Sequence, residues 1–117
     1  VHGNHEQYVL RGNYSRTNIE HVYALNRLGG PAAAFGTDTV IGRWLRRQPV
    51  NLKLGNVLFV HGGVDPRLLQ DEAGVDAINQ ASLDYWNNPG SAGEQSALRD
   101  LVFGNAGLTQ YRGYLMP

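Results

Sequence analysis

The sequence predicts a layered fold of mixed helices and strands, of the α/β class. Three observations carry that expectation: amphipathic segments bounded by start and stop signals, one strand–turn–strand segment, and polar residues directly after its second strand. Taken in order, Thr17-Asn18-Ile19-Glu20 has the spacing of a capping box, with Thr17 accepting from the backbone three residues on and Glu20 reaching back. A helix from about Glu20 to Leu28 is expected to follow. Gly29-Gly30-Pro31 closes it, because glycine tolerates the left-handed turn and proline cannot continue a helix. A second helix is expected from Asp38 to Arg47. Val40, Ile41, Trp44 and Leu45 share one face, Arg43, Arg46 and Arg47 fall elsewhere as a solvated face or a substrate rim, and Pro49 stops it. Val50-Asn51-Leu52-Lys53-Leu54 alternates with period two, as a strand with one wet face does. Gly55-Asn56 is a two-residue turn, and Val57-Leu58-Phe59-Val60 reads as a buried strand. A third helix is expected from Val75 to Trp86, with Val75, Ile78 and Tyr85 at core spacing. A fourth is expected from Ser91 to Phe103, with Ser91 and Glu94 at capping-box spacing.

The 117 residues suffice for one domain with a modest core, and no repeat or linker divides them. With 42% hydrophobic and 17% charged residues the composition is that of a soluble globular protein, and a cytoplasmic location is the expectation. Ten basic residues balance ten acidic ones, so bulk charge points to no nucleic acid or membrane partner. Absent cysteine excludes disulfides, thiolate zinc sites and thiol catalysis from these residues. No apolar run reaches the length of a membrane span, although a start at Val1 leaves room for an upstream leader. Oligomeric state is not legible.

Two places could carry chemistry. His61 follows an apolar strand and precedes Gly62-Gly63, the kind of strand end where α/β sheets place ligands. A strand-ending histidine bonded to a neighbouring loop fits the same spacing. The opening run Gly3-Asn4-His5-Glu6 offers a permissive backbone, an amide oxygen, an imidazole and a carboxylate. The same four residues also describe an ordinary turn, and Glu6 equally suits the first turn of a helix. His2 and His21 read as structural or solvent-facing.

Taken together, Gly3-Asn4-His5-Glu6 and Phe59-Val60-His61-Gly62-Gly63 resemble the calcineurin-like metallophosphoesterase superfamily. Ile41 to Pro49, Val64-Asp65-Pro66, Ile78-Asn79 and Tyr111-Arg112-Gly113-Tyr114 extend the likeness to its bacterial-type, Shewanella-like protein phosphatase branch. The resemblance implies a four-layer α/β/β/α sandwich, of which residues 1–117 would be the central portion, incomplete at both ends. It also implies two divalent metal ions (Mn, Fe, Zn or Mg), with Asn4 and His61 as ligands. His5 would protonate the leaving alkoxide, Arg112 would grip the phosphate oxygens, and Glu6 would start the helix or support the ligands from behind. Two cations about 3.5–4 Å apart would activate a bridging hydroxide for in-line attack.

The superfamily's GDxH, GDxxDR and GHxH blocks do not occur, since the chain has no Gly-Asp and no Gly-His dipeptide. Leu108-Thr109-Gln110 also stands where relatives read P-L-W, which removes an aromatic wall beside Arg112. The expectation is therefore a fragment, inactive as a separate molecule, of a metal-dependent phosphatase acting on phosphoprotein. A small-molecule or nucleotide phosphoesterase and a non-catalytic phosphate-binding or structural module are the alternatives.

Overall fold

A computed structural model describes residues 1–70, 72–88 and 96–115. They fall into two compact units, Asn4–Gln48 and Val1–Gly3 with Pro49–Pro117. The α/β class holds, with helices and one two-stranded sheet. A four-layer sandwich is not seen among the described residues.

The unit Asn4–Gln48 is helical. Its first helix, α1 (Asn4–Leu10), begins on the polar run that also suited a turn, and it carries Glu6 in its first turn. A carboxylate there faces the unpaired N–H groups of the helix start. Helix α2 (Ile19–Asn26) is capped by Asn18 in place of Thr17, because the Asn18 Oδ1 accepts from the Glu20 N–H at 2.9 Å. Pro31 does more than stop this helix. It opens α3 (Pro31–Ala34), where its missing N–H is one that a helix start leaves unpaired anyway. Helix α4 (Val40–Arg46) starts two residues later than expected, since the Thr39 hydroxyl is the cap and accepts from the Gly42 N–H at 3.0 Å. Arg46 is half-buried, and its guanidinium donates to the carbonyls of Phe35 and Gly42 at 2.7 and 3.0 Å. The apolar face of α4 is only partly covered, with Val40, Ile41 and Trp44 exposed and Leu45 half-buried.

In the other unit, β1 (Asn51–Leu54) pairs antiparallel with β2 (Val57–Val60), Asn51 opposite Val60 and Leu54 opposite Val57. Gly55 takes φ +58° and the non-glycine Asn56 has no positive φ, the arrangement of a type II′ turn with glycine first. A 3₁₀ helix (Pro66–Gln70) and the helices α5 (Glu72–Asn87) and α6 (Ser96–Phe103) follow. The expected Ser91–Glu94 cap lies outside the described residues. Val50, Ile78, Ala81, Val102 and Leu108 form the core, with Val60, Val64 and Phe103 packed against it. Tyr85, Trp86 and Phe103 add a ring cluster with centroids 4.6–5.6 Å apart. His2 meets the edge of Trp86 at 6.4 Å and is buried.

The hairpin reverses one expectation. Asn51, read as the wet side of β1, is 1% exposed, whereas Leu52, Leu54, Val57 and Phe59 are all exposed. The cause is a pair of amides. The Asn79 Oδ1 accepts from the N–H groups of Val50 and Asn51 at 2.9 and 3.1 Å, and its Nδ2 donates to the Asn51 carbonyl at 3.0 Å. The Asn51 Nδ2 in turn donates to the Val75 carbonyl at 2.9 Å. Strand and helix α5 are thus joined through polar groups, and the apolar residues of the opposite face have no layer over them among the described residues. Asn79→Ala would orphan two backbone donors and one acceptor. It is expected to destabilise this unit by about 2–4 kcal/mol, each unmet buried group costing roughly 1–3 kcal/mol before relaxation. A urea titration reads this as a lower midpoint at unchanged slope. A midpoint equal to that of the parent chain would show that the amide pair is dispensable.

Candidate functional site

On the Asn4–Gln48 unit, Asn4, His5 and Glu6 occupy the first turn of α1. The His5 side chain is exposed, and its ring lies 6.0 Å from that of Tyr8. His5 and Glu6 also line a cavity of about 440 Å³. Val9, Phe35 and Leu45 give it an apolar lining, and Arg16, Thr17, Asn18 and His21 contribute polar groups. Arg16 and Phe35 were assigned nothing by sequence spacing, and His21 was read as structural or solvent-facing. Helix α1, the segment before α2, α2 itself, the end of α3 and α4 all contribute, so no short motif could have revealed the cavity.

On the other unit, β2 delivers His61 to an exposed position at the strand end. The next residues run against the chain's last described segment. The Gly62 N–H donates to the Leu108 carbonyl at 2.8 Å. A Cβ at Gly62 would lie 2.9 Å from both the Arg112 Nη1 and the Leu108 carbonyl oxygen, so only glycine fits there. Gly63 faces the rings of Tyr111 and Tyr114, which meet edge to face at 5.5 Å. The Tyr114 hydroxyl donates to the Val64 carbonyl at 2.6 Å, and the Arg112 Nη1 donates to the Tyr111 carbonyl at 2.9 Å. His61-Gly62-Gly63 and Tyr111-Arg112-Gly113-Tyr114, far apart in sequence, are therefore one docked assembly. The structure brings His61 and Arg112 into the same loop cluster; Asn4, His5 and Glu6 belong to α1 of the other unit.

Asp65 had no assigned role, yet it closes this loop. Its carboxylate accepts from the Arg67 Nε at 2.9 Å and from the Arg67 backbone N–H at 3.0 Å. The guanidinium bond, then the backbone bond and the positive charge of Arg67, hold the Asp65 carboxyl down at about 2 against desolvation. A lowered folded-state value contributes stability above the ordinary carboxylate range, and that contribution is lost as pH falls toward 2. The pair therefore holds the turn into the 3₁₀ helix throughout the neutral range.

Comparison with known proteins gives these loops a context. No protein-family model and no curated protein matches the chain. Solved structures do. The cold-active protein tyrosine phosphatase of a psychrophile, Shewanella sp., is 32% identical with a TM-score of 0.74, over 96% of this chain and 34% of that one. A second structure of a cold-active protein tyrosine phosphatase gives 31% and 0.74, over 96% and 33%. A point mutant of such a phosphatase gives 32% and 0.73, over 96% and 34%. The chain thus spans about a third of the length of the solved structures it matches.

These matches correct the superfamily expectation. The solved structures are described as protein tyrosine phosphatases, not as calcineurin-like metallophosphoesterases, and that description replaces the earlier assignment. Support for a dinuclear centre of two divalent ions goes with it. Among the described residues no group of three or more His, Asp or Glu is placed to hold a metal. The physical reason for the misreading is that Asn, His and Gly at a strand end or helix start serve turns, caps and polar contacts as readily as metals. Asn4 opens α1 and His61 follows the end of β2. No helix among the described residues is long and apolar enough to cross a membrane. Over 96% of its length, this chain is similar to structures of protein tyrosine phosphatases.

Proposed function

We propose that this chain supplies phosphate recognition and leaving-group protonation to a phosphoprotein phosphatase that acts on phosphotyrosine. The single observation that supports this most is the likeness to protein tyrosine phosphatases at 32% identity along 96% of the chain. The docking of the Arg112 segment on the glycines after His61 accords with it. In this reading Arg112 offers its planar guanidinium to two phosphate oxygens, a match that a lysine cannot make. His5 donates a proton to the departing phenolate oxygen, and Glu6 stands beside it in the first turn of α1. Asn4 and His61 are hydrogen-bonding groups that add no negative charge against an anionic substrate. Lacking cysteine, the chain supplies no thiolate to the reaction.

The test is substrate choice. The protein that contains this chain is expected to hydrolyse a phosphotyrosine peptide with higher kcat/KM than a phosphoserine peptide or a dinucleoside polyphosphate. Preference for the dinucleotide would replace this reading with that of a small-molecule phosphoesterase. Absence of any hydrolysis would leave a binding module.

A further inference from the structure

In the reading above, the cavity among α1, α2, α3 and α4 stands on the leaving-group side of the reaction. His5 lines it, and the oxygen that His5 protonates carries the rest of the substrate away. At about 440 Å³ the cavity falls within the range of ligand sites, roughly 300–1,000 Å³, which are mostly apolar with a few placed polar groups. Val9, Phe35 and Leu45, all half-buried, form its apolar lining. Arg16 is exposed at the cavity and makes no hydrogen bond or ion pair among the described residues. It is the one arginine or lysine of the lining, and Glu6 is the one carboxylate. Apolar walls beside a single fixed positive charge suit an apolar side chain followed by an acidic one.

We propose that this cavity is a sequence-selective subsite for the peptide around the phosphotyrosine. An apolar residue two positions from the phosphotyrosine enters between Val9, Phe35 and Leu45, and an acidic residue next beyond it pairs with Arg16. The spacing follows from extended backbone, in which side chains two positions apart point the same way, roughly 6.6 Å apart. A tyrosine whose oxygen meets His5 therefore sends its second neighbour, not its first, toward the same face. The phosphate stays with Arg112, and Arg16 reads only the peptide. The assignment rests on the phosphatase reading for placing a tyrosine beside His5, but it also predicts binding of the peptide without phosphate or turnover.

The test uses a symmetric peptide with phosphotyrosine at its centre, alanine on each side, then leucine, then glutamate. The protein that contains this chain is expected to hydrolyse it with kcat/KM about tenfold above that of a peptide with serine for both leucines, the scale of burying one apolar side chain. Glutamine for both glutamates should cost about two- to fivefold, the range of an exposed ion pair, and salt at about 0.5 M should erase that difference. Arg16→Glu should invert the charge preference, so that a peptide with lysine for both glutamates becomes the better substrate. A merely structural role for Arg16 would produce no such inversion. Phenyl phosphate, which carries no peptide, should be hydrolysed by Arg16→Glu at the parental rate, and a loss there would overturn the peptide-reading role. Fluorescence anisotropy of the same peptides with plain tyrosine should give the same ranking and the same inversion. Equal hydrolysis and equal binding of the leucine and serine peptides, or no inversion in Arg16→Glu, would overturn the subsite and leave the reaction standing. The ranking and the inversion in binding, with no phosphotyrosine peptide hydrolysed, would support the subsite and defeat the reaction.

Discussion

Replacing His5 with alanine is expected to lower kcat for phenyl phosphate roughly 10²–10⁴-fold, the usual worth of a general acid. For 4-nitrophenyl phosphate the loss should be far smaller. The two substrates share the phosphate and the ring and differ in the oxygen that departs. Phenolate is a strong base, close to the tyrosine side chain at about pKa 10, and it leaves poorly unless protonated in the transition state. The nitro group delocalises that charge, so the same oxygen leaves without help. A residue that only positions the substrate would cost both reactions alike, so the ratio of the two losses separates proton donation from packing. His5 has the right access, being exposed in the first turn of α1 beside the cavity lined by Val9, Phe35 and Leu45. The Tyr8 ring, 6.0 Å from that of His5, is a second source of effect. Tyr8→Phe keeps the ring and removes the hydroxyl, and it should leave kcat for both substrates near the parental value. Equal losses for the two esters in His5→Ala would rule out the general-acid role.

How far such a site can be read from sequence depends on how local its causes are. The hairpin was legible because Gly55-Asn56 and its flanking apolar residues decide the turn within a few positions. Its burial was not, because the residue that draws Asn51 inward is Asn79, on a helix well downstream. The same limit applies to caps. Asn18 and Thr17 are both good caps, and only the backbone geometry of Asn18 decides between them. The order of the His61-Gly62-Gly63 and Tyr111-Arg112-Gly113-Tyr114 segments was visible, but their docking through Gly62 and the Leu108 carbonyl required coordinates. The metal assignment failed for a related reason. The two ions were implied by a family resemblance carried on short motifs, and neither an amide nor a lone imidazole by itself specifies a cation. The cavity on α1 to α4 lay beyond local reading, since Arg16, His21, Phe35 and Leu45 belong to different elements.

Arg112 carries the second large expectation. Arg112→Ala should lower kcat/KM for a phosphotyrosine peptide by about 10²–10³, the scale measured when one preorganised donor to a developing oxyanion is removed. Arg112→Lys should recover only part of that loss, because an ammonium keeps the charge without the planar fork. Inhibition by inorganic phosphate should weaken in the same order, which ties the effect to the anion and not to the leaving group. A structural role for Arg112 is the competing explanation, since its Nη1 lies against Gly62 and donates to the Tyr111 carbonyl. Gly62→Ala distinguishes the two. The new Cβ would press on the guanidinium and on the Leu108 carbonyl at 2.9 Å, displacing Arg112 without altering its charge. If Arg112 binds phosphate, Gly62→Ala should lose activity and phosphate inhibition together, as Arg112→Ala does. If Arg112 only packs between Tyr111 and Tyr114, both variants should melt earlier while inhibition by phosphate stays at the parental level. Phosphate affinity, not thermal stability, is therefore the measurement that decides what this arginine does.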